Sequence, residues 1–247
     1  MVHYQEVKLQ ELSEVEVFHL RYNAAGKWVL PVSVTSDEFV ETSVTENEEL
    51  SAGVRELTDK EIGHIRWAFY YLKIYEPQPT ADNLEKVSHY LEAFHHFCEL
   101  AAWEEAWQVL FIRCDTPTRE ELHIQLDTWG YYRLQIELYN QLLGKLDRKY
   151  RHSICYCGLG NAYRNLGDYR LAIEYHQKHL EIAREIGDRR GEANAGFNLG
   201  LALARVDEKW KAITAYENAR NLFQAMGLEQ YVEKCNNSIR DIGMKVV

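Results

Sequence analysis

A single period constrains this chain more than any other feature: Leu159-Gly160 returns as Leu199-Gly200, Ala162 as Ala202, Ala172-Ile173 as Ala212-Ile213 and Gly187 as Gly227, each 40 residues on. Recurrence at such spacing marks arrays whose unit cannot bury its own apolar face and must stack on neighbours. A looser copy links Gly130-Tyr131-Tyr132-Arg133-Leu134 to Gly167-Asp168-Tyr169-Arg170-Leu171 at a spacing of 37, so the unit carries a loop of variable length. Upstream, Ala101 to Trp107 has the look of a degenerate copy.

Each unit reads as two antiparallel helices. Ser153 to Leu166 places Ile154, Cys155, Leu159, Ala162, Tyr163 and Leu166 near the 3.6-residue period of one helix face. Gly167-Asp168 then stops the helix: the glycine supplies a left-handed turn and the aspartate caps the helix that follows. From Tyr169 a second helix carries Ala172, Ile173, Tyr175, His176, Leu180 and Ala183 inward and ends at Gly187. Gly160 and Ala172 stand where two backbones must come close, which explains their recurrence at 200 and 212. The polar stretch 228–244, with no partner helix after it, is predicted to close the stack.

Leu159-Gly160-Asn161-Ala162-Tyr163 followed by Ala172, and Leu199-Gly200 followed by Ala212, Tyr216 and Ala219, resemble the tetratricopeptide repeat. The 40-residue length resembles the long variant of Pins-type spindle-polarity adaptors and of bacterial, notably cyanobacterial, repeat proteins. The resemblance spans about 84–244 and is strong over 150–227. It implies a mainly α right-handed solenoid of helical hairpins, with first helices lining a concave groove. His179 departs from the small residue of the pattern, Leu203 from its tyrosine and Asp207 from its turn glycine.

The family register puts Cys157, Asn161, Arg164, Asn194, Phe197, Asn198, Leu201 and Lys234 on the concave face as the expected peptide-binding residues. Asparagine amides donate to and accept from a peptide backbone without reading its side chains. The alternative role for Asn161 and Asn198 is hydrogen bonding between repeats. In the carboxylate-clamp subgroup, Asn161, Asn198 and Lys234 match three of five places, while Cys157 and Ser238 miss the other two cations. A general groove for a peptide or helix is the better expectation.

Before Leu84 the period changes. Strand formers flank Asn23 to Gly26, predicting a β-hairpin at about 15–35, with Pro31 confining its strand to an edge or a bulge. Residues 37–61 concentrate acid and read as a solvated loop, 59–75 as a helix, and Pro77 and Pro79 as a separator. The expected domains are an α+β segment over 1–80 and helical repeats over 81–247, capped by 228–244.

Formal charge is −10 at pH 7, a field that repels nucleic acid and anionic membranes. Met1 to Glu6 opens without a basic, apolar leader and no apolar run nears membrane-spanning length, so the expectation is a soluble cytoplasmic protein. Five cysteines without framework spacing read as buried thiols. His95-His96-Phe97-Cys98 lacks a partner pair for a tetrahedral metal, and neighbouring helical side chains diverge by about 100°. No phosphate loop, nucleophile elbow or zinc-protease motif occurs. The expectation is a non-catalytic adaptor or scaffold, without cofactor or metal, that binds a protein or peptide. The alternative is a regulatory or sensor subunit of a larger bacterial signalling or defence assembly.

Overall fold

Two units divide the chain, residues 1–125 and 126–247. The computed structural model describes Arg21–Tyr22, Trp28–Pro31, Val54–Glu56, residues 58–78 and residues 80–244. The boundary between the two compact units thus falls after Gln125. Within the first unit the helix Asn83–Glu99 packs back onto Asp59–Ile74, and Trp103–Leu110 packs on Asn83–Glu99.

In the first unit, β1 (Arg21–Tyr22), β2 (Trp28–Pro31) and β3 (Val54–Glu56) are antiparallel in the order β1-β2-β3. β2 is therefore central, where an edge or a bulge is expected. Pro31 is nonetheless compatible because β1 reaches only Trp28 and Val29, while Pro31 lies opposite Val54 of β3. The expected acidic loop is interrupted by β3, and the rest of 15–35 and 37–53 lies outside the described residues. Helix α1 (Asp59–Phe69) starts at a reciprocal cap between Thr58 and Glu61, then loosens into a π-helical turn at Tyr70–Ile74. Helices α2 (Asn83–Glu99) and α3 (Trp103–Leu110) follow. Ile65, Ala68, Val87, Phe94 and Phe97 are buried among the residues of this unit's core. The division between units falls within α4 (Leu122–Thr128).

The second unit continues with α5 (Tyr132–Leu142), α6 (Lys149–Asn165), α7 (Tyr169–Glu185), α8 (Arg189–Arg205), α9 (Lys209–Ala225) and α10 (Glu229–Met244). From α6 onward the helices begin 20 residues apart, at 149, 169, 189, 209 and 229, so two helices make the 40-residue period. Each packs against its sequence neighbour, and α6 also touches α8.

The turns show why the spacing is so regular. Asp168 donates its N–H to the Tyr163 carbonyl at 2.9 Å, closing α6, while its carboxylate accepts from the Leu171 N–H at 3.1 Å, opening α7. Between them Gly167 takes a φ of +85°, open to glycine at no steric cost. Asp188 repeats the arrangement with Ala183 and Gly191. Asp207 holds the same turn at φ +63° without being glycine, as a short polar side chain tolerates.

Helix contact depends on rings seated over glycines. A Cβ on Gly160 would lie 2.5 Å from the His176 ring, on Gly200 2.7 Å from Tyr216, and on Gly158 2.2 Å from Tyr139. The pairs 160/176 and 200/216 are one repeat apart, so the same notch takes a histidine in one unit and a tyrosine in the next. Gly196 differs: its Cβ would meet nothing nearer than 3.5 Å. Gly200→Ala should therefore lower unfolding free energy by about 1–3 kcal/mol through overpacking, whereas Gly196→Ala should raise it by about 0.5–1 kcal/mol through helix propensity. Urea unfolding of the full chain followed by circular dichroism reads both, and equal effects would contradict the notch.

Candidate protein-interaction face

Helices α6 and α8, the first helices of successive units, supply seven of the eight predicted residues, and α10 supplies Lys234. At about 100° per residue, Asn194, Phe197, Asn198 and Leu201 share one side of α8. All four are half-buried.

Arg164 and Asn198 meet: the guanidinium Nη1 donates to the Asn198 Oδ1 across 3.4 Å, joining α6 to α8. Asn161 donates to the Cys157 sulfur at 3.8 Å, one turn back on its own helix. Burial pushes the Cys157 thiol up to about 11, against the lowering influence of Arg164 and Asn161, so the sulfur stays protonated and acts as a small soft acceptor. Lys234 lies 5.0 Å from the centre of the Tyr231 ring on α10. Phe197 stands 5.4 Å from Tyr216 and packs with Leu201 against the core of Leu199, Leu203, Ala212, Tyr216 and Ile242. The predicted set thus splits in character: Phe197 and Leu201 anchor the face to the core, and Arg164 with Asn198 forms its polar seam.

Under this face lie two buried histidines of α7, His176 at 0% and His179 at 6% exposure. Burial, with the positive field of Arg164 and then His179, lowers His176 to about 3. Burial lowers His179 to about 4 despite Asp188. Both rings are therefore neutral at pH 7, consistent with His179 filling a place where Ala219 stands one unit later.

In the first unit, His64 and His96 face each other with their Nδ1 atoms 2.9 Å apart beside Trp67 and Tyr71. Among the described residues no group of three or more metal-ligating side chains could hold a metal ion. Also among the described residues, no helix is long and apolar enough to cross a membrane.

Residues 153–225 match the tetratricopeptide repeat family, and the match covers both helical hairpins from α6 to α9. Residues 153–225 are tetratricopeptide repeats. Human G-protein-signaling modulator 1 is 51% identical over 59 residues, which cover 23% of this chain and 9% of that protein. The mouse protein of the same name is 51% identical over 47 residues, or 19% of this chain and 7% of its own. The chain spans less than a tenth of the length of these curated relatives. Among solved structures, the apo form of RapI aligns with 75% of this chain and 44% of its own at 16% identity and a TM-score of 0.39. MamA aligns with 70% of this chain and 98% of its own at 17% identity and a TM-score of 0.38.

None of the predicted residues lines the hollow that the repeats enclose between α7, α8 and α9. A position-by-position comparison of the two repeats at an offset of 40 carries the signal for it: Tyr156, Tyr163 and Tyr175 are replaced by Gly196, Leu203 and Ala215.

The buried histidines make the repeats acid-sensitive in a defined direction. Each ring binds a proton more weakly folded than unfolded, so the stability it lends is whole above its ordinary value of 6.5 and drains as pH falls towards 4 for His179 and 3 for His176. Melting temperatures of the full chain and of His176→Phe, followed by circular dichroism, should diverge in the variant's favour between pH 7 and pH 5. Parallel curves would show that His176 is not a buried neutral ring.

Proposed function

We propose that the chain is a non-catalytic adaptor that holds an extended peptide or a helix of another protein against the face of α6, α8 and α10. The observation that carries this reading is the seam between first helices: Arg164 and Asn198 span two repeats at 3.4 Å and present amide and guanidinium groups beside the half-buried Phe197 and Leu201. Such a surface offers backbone-directed hydrogen bonds next to apolar contact. Tetratricopeptide repeats serve protein–protein interaction, which agrees.

Local identity to G-protein-signaling modulator 1 supports a place in signalling, where the same face would serve a regulatory or sensor subunit of a larger assembly. That relative's name describes a signalling modulator, and its other nine-tenths have no counterpart in this match.

A displayed random-peptide library selected on the full chain tests the reading. Peptides so recovered should bind Asn161→Ala/Asn198→Ala at least about tenfold more weakly, a loss of about 1.4 kcal/mol, with the variant's circular dichroism unchanged. Undiminished affinity for the double variant would remove this face from the account.

A further inference from the structure

The two repeats are filled differently on the side away from the proposed peptide face. In the first, Tyr156 and Tyr163 of α6 flank Tyr175 of α7, with ring centres 6.1 and 5.4 Å from it, the Tyr163 and Tyr175 planes only 3° apart. Lys178 lies over two of these rings, 5.8 Å from Tyr156 and 5.1 Å from Tyr175, while pairing with Glu174. Forty residues on, the three tyrosines are Gly196, Leu203 and Ala215, and Glu174 and Lys178 are Thr214 and Asn218. Those five residues line a cavity of about 410 Å3 between α7, α8 and α9. Its volume lies within the range of about 300–1,000 Å3 usual for ligand sites.

The floor of the cavity is apolar and its edge is not. Leu180, Leu199 and Leu222 face it, and Trp210 stands at it with 77% of its surface exposed. Large exposed aromatic rings beside an apolar hollow are the usual anchors of protein interfaces. Its charged lining is Arg184, Glu192 and Lys211, two cations to one carboxylate in a chain of formal charge −10. Arg184 Nε donates to Glu192 at 2.8 Å, and Lys211 reaches Glu208, outside the lining, at 3.2 Å. Each cation of the edge thus already holds a carboxylate, and the Lys211–Glu208 pair lies exposed to water, where a partner's carboxylate can exchange for Glu208.

On α8 the lining residues Glu192, Gly196, Leu199 and Leu203 lie about 180° around the helix from Asn194, Phe197, Asn198 and Leu201. The hollow is therefore distinct from the face assigned above. Gly196 marks its purpose: a Cβ there would meet only ordinary contacts, at 3.5 Å, so close helix approach does not require the glycine as it does at Gly160 and Gly200.

We infer that the hollow between α7, α8 and α9 is a second binding site, which takes an aromatic side chain of a partner protein's segment with a carboxylate next to it. The ring occupies the space that tyrosines fill in the preceding repeat, against Leu199 and beside Trp210. Thr214 and Asn218 supply polar groups in place of the Glu174–Lys178 pair, and Lys211 meets the carboxylate. An aromatic ring satisfies the shape, and a carboxylate beside it exchanges with Glu208 on Lys211, an exchange open to no basic side chain.

The probe is N-acetyl-glutamyl-tyrosinamide, titrated into the full chain while the methyl resonances of Leu180, Leu199 and Leu222 are followed. Saturable shifts at millimolar probe are expected. The leucinamide and lysyl-tyrosinamide counterparts should bind at least about fivefold more weakly, by about 1 kcal/mol each. Ala215→Tyr, which restores the filler of the first repeat, should abolish the shifts and raise the melting temperature. Trp210→Ala, at an exposed position that the fold does not need, should weaken the probe at least about fivefold. Asn161→Ala/Asn198→Ala should leave it unchanged, which separates this site from the peptide face. Absence of saturation in the wild-type chain, shifts that survive Ala215→Tyr in a folded protein, or equal binding of the leucine probe would each overturn the assignment.

Discussion

The seating of an aromatic ring over a glycine is the contact on which the second unit depends. His176 over Gly160, Tyr216 over Gly200 and Tyr139 over Gly158 each bring a helix backbone within reach of a ring that a single methyl group would displace. Interiors packed to crystal-like density do not absorb such a methyl without moving a helix. Gly160 and Gly200 take their rings from the second helix of their own hairpin and Gly158 takes Tyr139 from α5, so the notches fix spacing both within a hairpin and between α5 and α6. The aspartate turns then fix where the next helix starts, since one residue closes a helix with its N–H and opens the next with its carboxylate. Ring, notch and turn together set the 20-residue beat of helix starts.

Much of this was legible in the sequence, for a physical reason. A stack can repeat only if contact residues repeat, so Leu159-Gly160 and Ala172 had to return at 199–200 and 212. Gly167-Asp168 was legible as stop and start because few residue pairs do both jobs. Other features were not. The boundary after Gln125 depends on which helices pack together, and Asp59–Ile74 gives no local sign that later helices return to it. The π-helical turn at Tyr70–Ile74 lies within a stripe that reads equally well as α-helix. Pro31 lacks an N–H and so reads as an edge or a bulge, yet it lies in the central strand, past the residues that β1 pairs and opposite Val54 of β3.

The predicted interaction residues were legible by register and illegible by role. Spacing puts Asn194, Phe197, Asn198 and Leu201 on one side of α8, but only packing distinguishes Phe197 and Leu201, which meet the core, from Asn198, which forms the seam with Arg164. The hollow between α7, α8 and α9 leaves no recurring pattern in the sequence. What distinguishes the hollow is what fails to recur, three tyrosines giving way to glycine, leucine and alanine. In this stack the recurring notches build the scaffold, and the positions that differ between copies shape the hollow.

The central claim is that ring and glycine act as one contact, and a double-mutant cycle at Gly160 and His176 tests it most directly. Unfolding free energies are needed for Gly160→Ala, His176→Ala and the double variant of the full chain. If the ring is what the added methyl strikes, the cost of Gly160→Ala should shrink by at least about 1 kcal/mol once His176 is alanine. Additivity within about 0.3–0.5 kcal/mol would mean that the two residues do not share a contact, and the account of how these helices are held would be wrong.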